Sequence, residues 1–308
     1  MKTLVTGGAG FIGSNLAKLL VECGHDVVVL DNYSSGYREN LASLPGAHII
    51  VGDVRDGGVL RDAVAGCDVV FHLAASVGNA RSIEHPIEDA EINVLGTLRV
   101  LEAARRHGVR KIVFSSSAGI FGELKIVPIR EDHPAEPDTP YGASKLGAEK
   151  LCLAYAKLYR LECICLRYFN VYGVNQRYDA YGNVIPIFAY RALRGEPLTI
   201  HGDGEQTRDF VNVRDVAIAN YRAGMSQGVS GAFNIASGTR VTINRLAAMV
   251  AQANGPGVNI QYGPARPGDV RHSLADVSAA RAAFGFEPAV TLDEGLPEYV
   301  NWARGAMV

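Results

Sequence analysis

A tyrosine and a lysine four residues apart form the first candidate for chemistry in the sequence. The stretch "YGASK" places Tyr141 and Lys145 at i and i+4, so on a helix both side chains share one face. A tyrosine with a pKa of about 10 is a poor base at neutral pH, whereas a neighbouring ammonium stabilises the phenolate and lowers that pKa. The pair could then exchange a proton with a substrate hydroxyl. The alternative is an ordinary aromatic residue beside an exposed lysine, and the rest of the chain must decide.

Three consecutive serines precede this pair. They belong to "SSSAGIFG", residues 115–122, which follows the apolar run "KIVF" where a strand is expected to end. The last of them, Ser117, lies 24 residues before Tyr141. Serines that only finish a strand account poorly for three hydroxyls together, so the run indicates side chains that hold a ligand. Ala118 and Gly119 come next, so no acid follows the hydroxyls.

Three glycines after the first predicted strand indicate a dinucleotide site. In "VTGGAGFIG", Gly7, Gly10 and Gly13 lie between a strand and a helix. One glycine permits the tight turn, one lets a pyrophosphate approach the backbone, and one lets the helix pack on the strand, while the helix N-terminus offers N–H groups to the phosphates. Asp31 ends the second strand 18 residues after Gly13, which suits a hydrogen bond from an adenosine ribose 2′-hydroxyl. A carboxylate there repels a 2′-phosphate, so NAD is favoured over NADP.

The aspartate of "GDVRD", Asp53, has two interpretations. It follows the third predicted strand, where its carboxylate could accept from the adenine amino group. It could equally cap the helix that is predicted to begin near Asp56. The sequence leaves both open.

The elements around these motifs predict an α/β protein with a Rossmann-type, doubly wound parallel sheet. The predicted strands are "KTLVT", "DVVVL", "HIIVG", "DVVFHLA", "KIVFSS" and "ECICLR". Helical patterns lie between them at about 12–23, 56–65, 88–107 and 141–159. The strands are nearly continuous in apolar residues, as strands covered on both faces are.

The strand–helix alternation weakens after about residue 169. Helices are predicted near 183–194, 213–225, 242–254 and 292–304, and "GAFNIAS" at 231–237 reads as a strand that returns to the first sheet. We therefore predict an NAD-binding Rossmann domain over residues 1–170, with a return of about 210–237, and a smaller α/β domain over 171–308.

Composition limits the classes of partner. The chain of 308 residues has a formal net charge of −2, which gives no electrostatic basis for a nucleic-acid or anionic-membrane partner. No apolar run reaches the roughly 18 residues that span a bilayer, and the N-terminus does not read as a signal peptide. The eight histidines and five cysteines show no metal-ligand spacing. These features predict a cytoplasmic protein with buried, reduced thiols and no metal.

Eight motifs in order resemble an extended short-chain dehydrogenase/reductase. They are "TGGAGFIG", "GDVRD", "HLAA", "SSSAGIFG", "PYGASK", "RYFNVYG", "GDGEQTRDFVNVRDVA" and "RPGD". The resemblance is to the nucleotide-sugar epimerase/dehydratase family, in particular to its UDP-galactose 4-epimerase-like members, and it covers residue 2 to about 296. It implies tightly bound NAD, a UDP-sugar substrate under the C-terminal domain, and a homodimer formed through a helix bundle.

The resemblance also assigns roles to individual residues. It makes Ser117, Tyr141 and Lys145 catalytic, and Tyr141 and Lys145 also contacts of NAD. The other implied NAD contacts are Gly7, Gly10, Phe11, Ile12, Gly13, Asp31, Asn32, Asp53, Val54, Leu73, Ala74, Ala75, Asn93, Ser115 and Tyr168. The implied sugar-nucleotide contacts, besides Ser117, are Ser116, Asn170, Asn183, Val184, Thr199, Arg208, Arg266, Asp269 and Ser273.

The residues after the serines select among the reactions of the resembled family. Its 4,6-dehydratases carry Asp and Glu there, and its UDP-glucuronate decarboxylases usually a glutamate, whereas this chain has Ala118 and Gly119. What remains is 4-epimerisation, in which Tyr141 takes the C4 hydroxyl proton, hydride leaves C4 to NAD, and the keto-sugar rotates and regains hydride on its other face. The alternatives are a UDP-glucuronate 4-epimerase, a keto-sugar reductase or dehydratase and, outside enzymes, an NAD-binding regulator.

Ser273 bears on the choice of sugar. Four residues past the "RPGD" aspartate, some epimerases restricted to glucose and galactose carry a tyrosine, and relatives that accept N-acetylated sugars carry a small residue. The serine here therefore leads us to expect activity on UDP-GlcNAc and UDP-GalNAc alongside UDP-glucose and UDP-galactose.

Overall fold

Thirteen strands and eleven α-helices make up the described part of the chain. The computed structural model describes residues 1–42, 44–178, 183–265 and 270–307. The strands are β1 Lys2–Thr6, β2 Asp26–Asp31, β3 His48–Val51, β4 Val69–His72, β5 Lys111–Ser117, β6 Glu162–Tyr168, β7 Asn170–Tyr172, β8 Leu198–His201, β9 Thr207–Arg208, β10 Phe210–Asn212, β11 Gly231–Ile235, β12 Val241–Thr242 and β13 Ile260–Gly263. The helices are α1 Phe11–Glu22, α2 Gly57–Val64, α3 Asn79–Glu84, α4 Pro86–Ala90, α5 Thr97–Arg106, α6 Pro140–Leu158, α7 Val184–Leu193, α8 Val213–Met225, α9 Ile243–Asn254, α10 Ser278–Phe284 and α11 Leu292–Gly305.

Seven of the strands form one parallel sheet in the order β3-β2-β1-β4-β5-β6-β11. The first six follow the Rossmann order, in which the chain reverses direction across the sheet between β1 and β4. Ligands bind outside the carboxyl ends of the strands at that reversal. The predicted fold is confirmed, including the late strand β11, which returns to pair with β6.

Each face of the sheet is covered by helices, because alternate strand residues point to opposite sides. Val5, for example, packs in a core with α1, α8 and α10, while its neighbour Leu4 packs in a second core with α2, α5 and α6. A third core joins α7, α9 and α11 to β8. The third core is composed of residues from the C-terminal half; the predicted boundary at residue 170 stays a prediction.

The helix predicted at 88–107 has an irregular middle. A π-helical segment, Glu91–Gly96, separates α4 from α5. Short π-segments are rare and are found mostly at functional sites. Here the segment carries Asn93, whose carbonyl accepts from the Thr97 hydroxyl at 2.6 Å.

All five cysteines are free thiols, and Cys23 is exposed rather than buried as predicted. Within the described residues, no helix combines the length and apolar character that crossing a bilayer requires.

Candidate active site

The proposed catalytic side chains meet where β5 ends and α6 begins. Ser117 is the last residue of β5, and Thr139 caps α6 by accepting from the Gly142 N–H at 3.2 Å. Tyr141 lies in the first turn of α6 and Lys145 one turn later. The Ser117 hydroxyl lies near enough to the Tyr141 phenol to oppose the rise in its pKa. The structure thus brings together the three side chains that the sequence predicted to share a site.

The charges of the pair are set mainly by burial. Burial raises the pKa of Tyr141, and the nearby Ser117 hydroxyl opposes that rise. Burial also lowers the pKa of Lys145 to about 8, and its ammonium lies 4.4 Å from the centre of the Phe114 ring. The chain's own groups therefore move the Tyr141 pKa opposite to the predicted direction, because the loss of solvation outweighs the nearby polar groups.

The second serine of the triplet faces away from this site. Side chains alternate along β5, and the Ser116 hydroxyl donates to Glu149 Oε2 at 2.7 Å in a buried position. Glu149 is itself paired with Arg167, with 2.7 Å between Oε1 and Nη2. The predicted contact of Ser116 with a sugar is therefore corrected: its hydroxyl satisfies a buried ion pair. Ser115, by alternation, is on the same side of the strand as Ser117.

The glycine loop shows which of its glycines the protein itself requires. A Cβ on Gly7, which has φ of +70°, would lie 2.7 Å from the Ala74 nitrogen, and one on Gly13 would lie 2.1 Å from the Gly7 carbonyl oxygen. A Cβ on Gly10 would meet only that same oxygen, at 3.2 Å. No side chain caps the N-terminus of α1 after Gly10, which leaves the N–H groups of Phe11 and Ile12 available. The loop thus fits a pyrophosphate approaching at Gly10.

Asp31 lies at the end of β2, beside this loop. Its carboxylate accepts from the Ala9 N–H at 2.9 Å and from the Tyr33 N–H at 2.7 Å, while burial raises its pKa. Each carboxylate oxygen retains acceptor capacity, since an ionised carboxylate has about four acceptor positions. At this position the Asp31 carboxylate can accept a hydrogen bond from a ribose hydroxyl.

Asp53 does not cap α2, because Asp56 does so by accepting from Gly58 N–H at 2.8 Å. The Asp53 carboxylate instead accepts from the Arg55 guanidinium and backbone and from Asn32 Nδ2, and these donors lower its pKa to about 2. Four donors occupy its acceptor positions, so the predicted bond to adenine would require one of them to move. The neighbouring Val54 is buried.

The residues after β4 are held by β1 and by the π-helical segment. The Leu73 N–H donates to the Thr6 carbonyl, and the Ala74 N–H to the Thr6 hydroxyl. Ala75 follows them at the same edge. The Asn93 side chain bridges the backbone of Ser76, accepting at 2.9 Å and donating at 3.0 Å. Asn93 is therefore engaged within the protein and shapes the loop that faces the predicted cofactor site.

The predicted nicotinamide contact of Tyr168 is corrected. Its side chain is 8% exposed, and its hydroxyl donates to Asn220 Oδ1 at 2.9 Å on the α8 side of the sheet. Tyr168 belongs to the core that packs α1 and α8 on the sheet. The structure therefore gives this side chain a role in core packing.

Three of the predicted sugar-nucleotide contacts converge around Asp209. Asn170 donates to the Asp209 carbonyl at 3.0 Å, and Arg208 is its chain neighbour. The buried Ser273 donates its N–H to the Thr207 carbonyl at 3.1 Å. The Asp209 carboxylate accepts from four groups, Ser237 N and Oγ, Gly238 N and Ala275 N. No sequence pattern indicated a role for this buried aspartate, whose carboxylate binds the segment at residues 237–238 and the segment at residue 275.

The remaining predicted contacts are more scattered. Asn183 precedes α7 and Val184 begins it, and among the described residues no side chain caps this N-terminus. The Thr199 hydroxyl in β8 accepts from Arg191 Nη1 and Gln261 Nε2, both at 3.0 Å, so its acceptor capacity is used within the protein. Arg266 and Asp269 lie outside the described residues. Among those that are described, no three His, Cys, Asp or Glu side chains cluster as a metal site would need.

Fold and geometry together define a Rossmann-type nucleotide-cofactor protein with the Ser–Tyr–Lys site of short-chain dehydrogenases/reductases. Residues 3–236 match the sequence profile of the NAD dependent epimerase/dehydratase family. A UDP-glucose 4-epimerase of Mycolicibacterium smegmatis is 40% identical over 311 residues, 99% of each chain. The chain therefore belongs to the NAD-dependent epimerase/dehydratase family.

Solved structures agree over the whole length. A UDP-glucose 4-epimerase from Thermotoga maritima, crystallised with UDP-glucose, is 39% identical with a TM-score of 0.94 and full coverage of both chains. A UDP-N-acetylglucosamine 4-epimerase from Methanobrevibacter ruminantium M1, in complex with UDP-N-acetylmuramic acid, is 36% identical with a TM-score of 0.93, over 98% of this chain and 97% of that one.

Alanine substitutions at Gly10 and Gly13 distinguish a glycine needed for cofactor binding from a glycine needed for folding. Gly10→Ala should change the free energy of unfolding by less than about 1 kcal/mol, since its Cβ meets one atom, but weaken NAD binding at least about tenfold. Gly13→Ala should cost more than about 2 kcal/mol, because backbone would have to move. Denaturant unfolding and calorimetric NAD titration measure both. Unchanged NAD affinity in Gly10→Ala would contradict the site.

Removing the buried ammonium should stabilise the protein. Because burial lowers the Lys145 pKa from 10.5 to about 8, the folded state disfavours the charge by roughly 3 kcal/mol. This penalty is full below about pH 8 and fades as the pH rises towards 10.5, where the unfolded chain also loses the charge. Lys145→Met should therefore raise the unfolding free energy at pH 7, and less so at pH 10. Lys150→Met, exposed on the same helix, is the control; a less stable Lys145→Met at pH 7 would refute the argument.

Proposed function

We propose that the protein is an NAD-dependent 4-epimerase of a UDP-hexose. The observation that carries the proposal is that position 119, next to the proposed catalytic hydroxyls, carries no acidic side chain. A Cβ on Gly119 would lie 3.3 Å from Ser117 Oγ and 3.7 Å from the Tyr141 ring. An acidic side chain at this position would reach the reacting carbons, and glycine provides none. A site with two hydroxyls and no acid suits proton exchange at one ring alcohol.

Each catalytic residue has one task in this proposal. Tyr141 takes the proton of the sugar C4 hydroxyl and returns it after the ring has turned over. Ser117, which lies near that phenol, orients the same hydroxyl. Lys145 holds a positive charge one helical turn away and favours the phenolate. NAD, when bound, would supply a hydride acceptor, then a hydride donor, and a further positive charge near the phenol.

Other reactions of the family would need a further acid. Loss of water from C6 requires one group to protonate the leaving hydroxyl and another to remove the C5 proton. Ala118 and Gly119 can do neither, and Glu149 is paired with Arg167 on the other side of β5. A keto-sugar reductase would consume NADH in proportion to product, and an NAD-binding regulator would turn over nothing, so one coupled assay separates all three.

Both glucose-type and N-acetylated sugars are proposed as substrates. The relatives from T. maritima and M. ruminantium are named for UDP-glucose and UDP-N-acetylglucosamine respectively, and this chain is similar to both. Ser273 places a small side chain beside Thr207. We assign Asn170, Arg208 and the start of α7 at Asn183–Val184 to the diphosphate, because guanidinium and free N–H groups suit phosphate oxygens. Arg266 and Asp269 stay predictions.

A homodimer remains part of the proposal. Ile83, Ile87 and Leu95 are 62%, 74% and 47% exposed on the helices between β4 and β5. Large apolar side chains exposed on neighbouring helical segments favour burial against a second copy. Sedimentation at the monomer mass of 32.9 kDa would exclude the dimer.

Tyr141→Phe should lower the rate of interconversion of UDP-glucose and UDP-galactose by at least about a thousandfold, while NAD stays bound. Ring size and burial are kept, so only the proton exchange is lost. Chromatographic separation of the two epimers measures the rate, with NADH absorbance followed in parallel. Wild-type rate in this variant would rule out the assigned role.

Ser117→Ala and Ser116→Ala form a matched pair on one strand. The first should lower kcat by roughly a hundredfold, since it removes an orienting hydroxyl. The second should lower stability, because Glu149 loses a donor, but leave kcat within about threefold. A larger loss of kcat from Ser116→Ala than from Ser117→Ala would contradict the assignment.

Ser273→Tyr should selectively suppress turnover of the N-acetylated sugars, because a phenol fills space needed by the acetamido group. We expect kcat/KM for UDP-GlcNAc to fall by at least about tenfold more than that for UDP-glucose. Equal losses on both substrates, or no loss, would refute the proposed role of position 273 in substrate choice.

A further inference from the structure

A buried carboxylate that the proposed mechanism does not use lies behind the catalytic helix. Asp89 in α4 is 1% exposed. Its Oδ1 accepts from Asn93 Nδ2 at 3.0 Å and its Oδ2 from the Ser144 hydroxyl at 2.5 Å. Both of these hydrogen-bond donors are neutral groups. Burying a carboxylate is costly, so its presence calls for an explanation.

The partner of Asp89 sits between the two catalytic residues of α6. Ser144 is three residues after Tyr141 and immediately precedes Lys145. Its hydroxyl lies 3.0 Å from the Tyr141 carbonyl oxygen and also accepts from Asn93 Nδ2 at 3.1 Å. The hydrogen bonds of Asp89 therefore reach the first turn of α6 directly and through the π-helical segment.

Five buried groups act on or respond to the charge of Lys145, and Asp89 is the one among these five that also acts on Tyr141. The groups that face the ammonium are Asp89 from α4, Glu149 and Cys152 from α6, Cys165 from β6 and His72 from β4. Glu149 is neutralised by Arg167 at 2.7 Å, and burial raises the pKa of Cys165. Burial lowers the pKa of His72 to about 3, so it is neutral. The negative charge of Asp89 raises the pKa of both Lys145 and Tyr141.

We propose that Asp89 is a positioning residue of the catalytic site, which fixes the first turn of α6 through Ser144 and Asn93 and holds a negative charge behind the Tyr141–Lys145 pair. The inference rests on the proposed function for its kinetic consequence, but not for its electrostatic one. A purely structural role would be met by the hydrogen bonds alone. The charge makes Asp89 a long-range partner of the buried ammonium.

Asp89→Asn removes the negative charge and keeps one of the two hydrogen bonds. The amide oxygen can still accept from Ser144, whereas the amide nitrogen replaces the acceptor of Asn93, so that bond is lost together with the charge. We expect kcat to fall and both limbs of its pH profile to move to lower pH by about one unit, because one charge acts on both groups. Ser144→Ala is the matched control, which removes the hydrogen bond and keeps the charge. It should lower kcat with the limbs unmoved. Unmoved limbs in Asp89→Asn would overturn the proposal.

Unfolding measurements test the electrostatic part without turnover. Asp89→Asn should lower the melting temperature at pH 7 more in the wild-type background than in Lys145→Met, and this difference should vanish at pH 11. Equal losses in both backgrounds would overturn the coupling. If the wild-type protein interconverts no UDP-hexose, the proposed function fails, but the comparison of melting temperatures still tests the role of Asp89. If the protein interconverts UDP-hexoses and Asp89→Asn has the same effect in both backgrounds, only the inference about Asp89 fails.

Discussion

The contact between the end of β5 and the first turn of α6 is the constraint on which the site depends. A Cβ on Gly142 would lie 2.4 Å from the Gly119 carbonyl oxygen, so the two segments meet backbone to backbone. That approach puts Ser117 against the Tyr141 phenol, and the helical repeat then fixes Lys145 one turn further on. The parallel sheet contributes the other half, because β1 brings the glycine loop to the same edge.

The site is assembled from buried polar groups that cost stability. The ammonium of Lys145 and the carboxylates of Asp89 and Asp209 lie in the interior, and burial raises the pKa of Asp209 as it lowers that of Lys145. Such groups persist only where hydrogen bonds and a large apolar core offset their desolvation. The two helix-covered faces of the sheet provide that core. Chemistry at one ring alcohol thus depends on packing far from it.

Local patterns in the sequence predicted the fold and the helix that carries both Tyr141 and Lys145, because strands, the glycine turn and the i, i+4 spacing are set by neighbouring residues. Partners distant in the chain were not predictable. Ser116 pairs with Glu149 and Tyr168 with Asn220, and in each case the partner comes from another element. Asp89 had no local signal at all, since an acid on a helix is usually solvated. The direction of the Tyr141 pKa also escaped prediction, because burial was unknown.

The central claim is that hydride leaves and returns to the same carbon while Tyr141 handles only the hydroxyl proton. A UDP-hexose that carries deuterium at C4 tests it most directly, with the epimer analysed by mass spectrometry and NMR after reaction in ordinary water. If hydride leaves and returns to C4 as proposed, the epimer keeps its deuterium at C4. Deuterium lost to solvent during epimerisation would mean that C4 exchanges a proton, which contradicts the hydride mechanism.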